Sequence, residues 1–158
     1  MRAKDFVIKD FISVEEYNIV EDVVIIMRKY NQLNLPVVDE QNKLIGSVNA
    51  RGILELVTRE YHSLYTLDIN PFDGGGSFVK EDLFKIKNKY IKDIMERKCL
   101  SVNMDDSMEY VANILLKGRQ IVVPVVDNEM RVIGIINGIG ALYEMLNSES
   151  ESNSVQEK

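Results

Sequence analysis

The chain is poor in the residues that staple or ligate. Of its 158 residues one is cysteine, Cys99, one is histidine, His62, three are proline and none is tryptophan. A single cysteine excludes an internal disulfide and a cysteine-rich zinc site. A lone histidine, with Glu60 near it, falls short of a metal-ligand set; an exposed or interface helix position is the plainer reading. No apolar run approaches the roughly 18 residues that a membrane span needs, and Met1-Arg2-Ala3-Lys4-Asp5 has no signal-peptide apolar stretch. Positive charge is scarce as well: 19 Lys+Arg against 25 Asp+Glu leave a net charge of −6 at pH 7. Nucleic acid and anionic membranes select basic footprints, so neither is an expected partner. The remainder is ordinary globular composition, 46% hydrophobic and 28% charged, sufficient for a core without a staple. The expected protein is soluble and cytoplasmic.

An internal repeat organises the chain. Leu35-Pro36-Val37-Val38-Asp39 returns as Val123-Pro124-Val125-Val126-Asp127, an offset of 88 residues. The same offset pairs Lys4-Asp5 with Lys92-Asp93, Ser13-Val14 with Ser101-Val102, Glu21 with Glu109 and Gln32 with Gln120. It also pairs Ile45-Gly46 with Ile133-Gly134, Asn49 with Asn137 and Gly52 with Gly140. No gap is needed over residues 4–58 against 92–146, and about a third of the positions are identical.

Each repeat reads as strand–helix–strand–strand–helix. Short strands are expected at Phe11–Val14 and Cys99–Val102. Asn18 with Glu21, and Asp106 with Glu109, have capping-box spacing at the starts of the helices that follow. Val20, Val23, Val24 and Met27 share one helical face, as do Met108, Val111, Ala112 and Leu115. Gly118 is a stop for the second of these helices. The Pro-Val-Val-Asp segments are strands with proline near the start. Polar turns then lead to strands Leu44–Val48 and Val132–Ile136 and to closing helices. The boundaries are a first unit at 1–58, an inter-unit segment at 59–88, a second unit at 89–147 and a disordered acidic tail at 148–158. Within the inter-unit segment, helix continues to Tyr65, Gly74-Gly75-Gly76-Ser77 breaks regular structure, and a short helix covers Val79 to Ile86.

The hydrophobic-Pro-Val-Val-Asp strand, the polar turn and the Ile-Gly strand entering a helix, present twice, resemble a pair of cystathionine-β-synthase (CBS) domains. The resemblance covers residues 4–58 and 89–146. It implies a mixed α/β (α+β) fold of two β-α-β-β-α units packed with pseudo-two-fold symmetry through their sheets. It also implies a homodimer formed through helices and clefts for AMP, ADP, ATP or S-adenosylmethionine as regulatory ligands, with no required cofactor. The family's Gly-x-x-Thr/Ser-x-x-Asp signature falls on Gly46 to Gly52 and Gly134 to Gly140. Asn49 and Asn137 replace the hydroxyl residue, and Gly52 and Gly140 replace the acid that meets ribose. Arg51 supplies phosphate charge to one cleft, whereas its counterpart is Ile139. The ligand-site residues expected on this basis are Phe11, Leu33, Asn34, Pro36, Asn49, Arg51 and Gly52, with Cys99, Ile121, Val122, Pro124, Asn137 and Gly140 in the second repeat.

Plainer roles stand beside these. Asn49 and Asn137 serve as helix N-caps, and the two glycines permit close helix packing. Gly138-Ile139-Gly140 is not a dinucleotide fingerprint, because Tyr143 occupies the third small position. The triple glycine lacks the Lys-Ser/Thr of a phosphate loop. Cys99, next to Lys98 and near Arg97, is either a reactive thiol or a small buried hydrophobe. Lys80, Lys85, Lys87, Lys89, Lys92, Arg97 and Lys98 form a solvated face or a docking surface for an acidic partner. Tyr61, Tyr65 and Phe72 flank the loop, over a cleft or a dimer seam. No nucleophile–base pair or paired-acid constellation points to an enzyme. Two functions fit: a ligand-sensing module acting on a partner protein, and a dimerisation or docking module that has lost its ligand.

Overall fold

The computed structural model describes residues 1–65, 75–118 and 120–154, with side chains at 1–57, 80–118 and 120–147. Among the described residues, five α-helices and two three-stranded sheets give a mixed α/β fold. The first sheet has the order β1 (Val14–Glu15), β2 (Asn34–Val38), β3 (Leu44–Asn49). The second has β4 (Val102–Asn103), β5 (Val122–Val126), β6 (Val132–Asn137). Helices α1 (Val20–Tyr30) and α4 (Met108–Lys117) cross from the first strand to the second of each sheet. Helices α2 (Ala50–Tyr65) and α5 (Gly138–Ser154) follow the third strand, and α3 (Gly75–Ile86) packs against α2.

The leading strands are shorter than their apolar runs and lie later in the chain. β1 pairs in parallel only with Val37 and Val38, and β4 only with Val125 and Val126. Pro36 and Pro124 precede that three-stranded stretch, so their missing donors interrupt no ladder to the first strand.

The helix starts depart from the expected capping boxes. Asn18 does not cap α1: its Oδ1 accepts from the Glu15 N–H at 2.8 Å and closes the turn before the helix. The N–H groups of Val20 and Glu21 donate instead to the carbonyls of Lys89 and Lys87, at 3.0 and 2.9 Å. Asp106 likewise accepts from Asn103 N–H at 2.7 Å, and Ser107 is the N-cap of α4, accepting from Tyr110 N–H at 3.2 Å. The asparagine and aspartate side chains were the right chemistry, used one turn early.

Two more boundaries move. Gly75, Gly76 and Ser77 belong to the first turn of α3 rather than to a break, since a glycine lowers helix stability by only about 1 kcal/mol and α3 docks on α2. α5 is helical to Ser154, past the expected boundary at 147/148; serine, glutamate and asparagine each cost a growing helix only tenths of a kcal/mol, up to about 0.7. His62, Tyr61, Tyr65, Phe72 and Gly74 lie outside the described side chains or residues.

The compact units do not follow the repeat boundaries. One gathers Met1–Phe11, Glu40–Leu44 and Lys98–Lys158; the other gathers Ile12–Asp39 and Ile45–Arg97. In the first of these, Ile8 and Ile135 exchange backbone hydrogen bonds of 2.8 and 3.0 Å, so the leading segment of the first repeat lies along β6. In the other, Ser47 and Glu96 exchange two bonds of 2.9 Å, so the leading segment of the second repeat lies along β3.

Glycine makes both crossings possible. A Cβ on Gly46 would stand 2.9 Å from the Glu96 carbonyl oxygen; one on Gly134 would stand 3.0 Å from that of Ile8 and overlap Val7. Each core follows the same exchange. Ile91 and Met95 join Val14, Val20, Val23, Leu35 and Val37 in one, while Ala3, Phe6 and Val7 join Val102, Val111, Val123 and Ile136 in the other. Asp82 on α3 is a buried charged side chain, with Oδ2 lacking a hydrogen-bond partner and Oδ1 3.5 Å from Lys85 Nζ.

Candidate functional site

In each unit the third strand runs directly into a helix, and the two junctions are built alike. At the β3–α2 junction, Asn49 Oδ1 accepts from Gly52 N–H at 2.7 Å and Ala50 N–H donates to the Leu33 carbonyl at 2.9 Å. At the β6–α5 junction, Asn137 Oδ1 accepts from Ile139 and Gly140 N–H at 3.0 and 3.4 Å, and Gly138 N–H donates to the Ile121 carbonyl at 2.9 Å. Both asparagines therefore cap their helices, which holds their oxygens against the first-turn donors.

Neither glycine is forced by packing. A Cβ on Gly52 would come no closer than 3.5 Å to Asn49 Oδ1, and one on Gly140 no closer than 3.8 Å to Asn137 Cβ. Both are ordinary contacts, so among the described residues close packing does not account for these glycines.

Around the first junction stand Leu33, exposed, and Asn34, half-buried at the start of β2. Pro36 is buried inside the strand. Arg51 points to solvent with its side chain 88% exposed and its Nε 3.0 Å from Glu55 Oε1. An exposed pair of this kind is worth at most about 1 kcal/mol, so the guanidinium is available to an incoming anion at small cost. Gln32, read from the sequence only as the repeat match of Gln120 and not as a site residue, clamps this unit: it accepts from Ile12 N–H at 3.0 Å and donates to the Ile12 carbonyl at 2.8 Å.

Around the second junction, Ile121 is exposed, Val122 half-buried and Pro124 buried. Cys99 is half-buried and its sulfur accepts from Gln120 Nε2 at 3.8 Å. Phe11 groups with this unit rather than with Leu33 and Asn49.

An apolar groove of about 410 Å³ lies in the same unit, between α4 and α5. Met108, Ala112, Leu115 and Leu116 form one wall, and Ile139, Ala141, Leu142 and Met145 the other. Gln120, Ile121 and Gly138 close its end. Of the expected site residues only Ile121 lines it. The sequence carried a signal for it: at offset 88, Ala112, Gly138 and Ala141 replace the bulkier Val24, Ala50 and Ile53. Among the described residues no group of three or more His, Cys, Asp or Glu is placed to hold a metal, and no helix is long and apolar enough to cross a membrane.

The duplicated β-α-β-β-α unit with its Pro-Val-Val strand defines a tandem α/β module. The CBS-domain family profile matches residues 3–59 and 91–138, and the chain belongs to that family. An inosine-5'-monophosphate dehydrogenase of Methanocaldococcus jannaschii is 28% identical over 135 residues, 85% of this chain but 22% of the relative; the chain thus spans about a fifth of that enzyme. An uncharacterised protein of the same organism is 26% identical over 92% of this chain and 91% of its own length. Among solved structures, CBSX2 in complex with AMP has a TM-score of 0.71 at 23% identity, covering 94% of this chain and 98% of that one. The CBS domain pair of protein MJ0100, with 5'-methylthioadenosine and S-adenosyl-L-methionine, has a TM-score of 0.67 at 22% identity over 94% and 98%. These likenesses establish the fold, a CBS domain pair.

Proposed function

We propose that the chain is a regulatory CBS pair that takes an adenosine-type nucleotide, or a related small ligand, at its strand-to-helix junctions. Its response to that ligand alters the activity of a partner protein, and it works as a homodimer rather than as an enzyme. The observation that carries this reading is the duplicated junction, where a helix N-terminus, an asparagine oxygen and an exposed apolar residue, Leu33 or Ile121, meet at one place. A helix N-terminus favours an anion through its N–H groups and dipole, and the apolar residue offers a surface to a base. Arg51 adds positive charge at the first junction alone, so the phosphate-bearing ligand belongs there. The AMP complex of CBSX2 and the adenosyl complexes of MJ0100 support this ligand class.

Calorimetric titration of the full chain with AMP, ADP, ATP and S-adenosylmethionine tests the reading. Binding of one of them is expected, weakened about tenfold by Arg51→Ala, equivalent to about 1.4 kcal/mol. Absence of heat and of any thermal shift with all four would favour a dimerisation or docking module. That second reading is supported by Gly52 and Gly140, which offer no carboxylate to ribose, and by the open groove on α4 and α5.

A further inference from the structure

The lysines between Lys80 and Lys98 are not alike in the structure. Lys85 lies 3.5 Å from Asp82 and Lys87 3.8 Å from Glu21, so each of these has its acid. Lys92 has none: among the described residues no carboxylate lies within 4 Å of its Nζ. It stands instead over two tyrosine rings, 5.0 Å from the centroid of Tyr17 and 5.7 Å from that of Tyr90. The rings meet edge to face at 5.9 Å and are 60 and 46% exposed. Arg97, also exposed, donates to the Lys92 carbonyl at 3.1 Å, and exposed Lys89 precedes Tyr90.

The other repeat has the matching corner with different side chains. At offset 88, Arg2, Lys4 and Tyr17 correspond to Tyr90, Lys92 and Asp105. The backbone around them is tied in the same way. Ala3 and Lys4 N–H donate to the Asp106 and Met104 carbonyls at 2.8 and 2.9 Å, as Ile91 and Lys92 N–H donate to those of Asn18 and Glu16 at 2.8 and 2.9 Å. In the one corner Lys4 Nζ meets the Asp105 carboxylate at 3.8 Å. In the other, Tyr17 stands at the aspartate's position. One backbone frame thus pairs a lysine with an acid in one repeat and with two exposed rings in the other.

We propose that Tyr17, Tyr90 and Lys92 dock a carboxylate-bearing segment of a partner protein, with Lys89 and Arg97 beside it. The partner's Asp or Glu meets Lys92 as Asp105 meets Lys4, and an apolar or aromatic neighbour of that acid packs on the tyrosine rings. A ring attracts an ammonium group without offering it a lone pair in the plane of a carboxylate, so Lys92 retains donors for a charge-assisted hydrogen bond. Two rings also hold the lysine in place beforehand, which lowers the cost of ordering it on binding. A net charge of −6 repels a long polyanion more than a segment with one or two carboxylates, so the occupant is a peptide rather than nucleic acid. All five residues belong to the unit of Ile12–Asp39 and Ile45–Arg97. None is among those proposed for the nucleotide, so the two readings fail separately.

Random twelve-residue peptides displayed on phage and selected on the immobilised full chain test it, with the selected sequences then synthesised and titrated by fluorescence anisotropy. The selection is expected to enrich Asp and Glu beside apolar or aromatic residues. Lys92→Met keeps the apolar stem and removes the charge; it is expected to weaken these peptides about tenfold. Tyr17→Asp gives Lys92 an acid of its own and is expected to weaken them at least as much. Lys4→Met, the matching lysine of the other repeat, is expected to leave affinity unchanged. Tyr17 and Lys4 are exposed, and far-UV circular dichroism verifies folding of all three variants. Selected peptides without acidic enrichment, or none binding more tightly than about 1 mM, would overturn the proposal. So would acidic peptides that neither Lys92→Met nor Tyr17→Asp weakens, or that Lys4→Met weakens equally. Binding of an oligothymidylate of about twenty nucleotides in place of any peptide, lost in the Lys92 and Tyr17 variants, would overturn it in favour of single-stranded nucleic acid.

Discussion

The two repeats agree where the backbone demands a residue and differ where a surface faces outward. Both retain an asparagine cap, Asn49 or Asn137, above a glycine three residues on. Both have Ile-Gly in the third strand, with the glycine under the leading segment of the opposite repeat. Their outward helix faces diverge instead: Arg28, Arg51 and Glu55 occupy positions held by Leu116, Ile139 and Tyr143 in the second repeat. One fold thus offers a charged junction in one unit and an apolar groove in the other. The anion chemistry proposed above for the junctions therefore has its basic residue in the first repeat alone, at Arg51, where the second has Ile139.

The sharpest way to break the shared half of this comparison is at the glycines of the third strands. Gly46→Val and Gly134→Val each drive a branched side chain into a backbone carbonyl about 3 Å away. Flexible side chains can yield; paired strand backbone cannot. Each substitution is expected to destabilise the protein by about 3 kcal/mol, the upper part of the overpacking range, and to about the same extent in both repeats. Urea unfolding monitored by circular dichroism measures it. A loss below about 1 kcal/mol at either site, less than overpacking normally costs, would mean that the leading segment there is not held as described.

The same glycines mark how far the sequence could be read. The offset of 88 residues, the strand cores and the order of elements were legible because alternating and helical apolar patterns repeat without a gap. The exchange of leading segments was not. Lys4-Asp5 and Lys92-Asp93 announce that two segments are equivalent, but a backbone pairing such as Ile8 with Ile135 leaves no mark on side-chain pattern. Capping failed by one turn for a similar reason. Asn18 and Asp106 have the right side chain, and which local N–H they accept from is decided by a carbonyl arriving from residues 87–89 or by the neighbouring Ser107. At the candidate site the asparagine caps were legible. The groove was visible only as three small residues whose meaning depends on α4 and α5 lying side by side.

The glycines of the first helical turns sharpen the comparison in the other direction. Gly52 and Gly140 have room for a Cβ, and each sits three residues after its cap, where a carboxylate meets the positive end of the helix dipole. Gly52→Asp and Gly140→Asp are each expected to raise stability by about 0.5–1 kcal/mol, from lower unfolded-state entropy and the dipole, as read by thermal unfolding at low salt. The first also places an acid beside Arg51, the residue proposed for phosphate. If ribose is bound at that junction, Gly52→Asp tightens adenosine-type ligands while Gly140→Asp changes binding little. Equal effects at both positions would remove the assignment of ligand binding to the first unit.

The smallest expected difference lies in the turns between the second and third strands of each sheet. The second repeat has Asp127, Glu129 and Arg131 where the first has Asp39, Gln41 and Lys43. Asp127 is held below the ordinary carboxylate range chiefly by the Arg131 backbone N–H at 2.9 Å; partial desolvation opposes this, and the Arg131 guanidinium at 2.7 Å and Glu129 N–H reinforce it. Its pKa in the folded protein thus lies under the unfolded value of about 3.9. The turn's contribution is complete above that value and declines as pH falls through the lower, folded one. Asp127→Asn is therefore expected to be less stable than the wild type by a constant margin from neutral pH down to about pH 5, and by a shrinking margin below about pH 4. Because the Arg131 side chain is exposed, added salt is expected to reduce the guanidinium part of that margin while leaving the backbone hydrogen bonds. A margin unchanged at low pH would show that the asparagine amide disturbs the turn by geometry alone, and that the carboxylate charge contributes nothing to it.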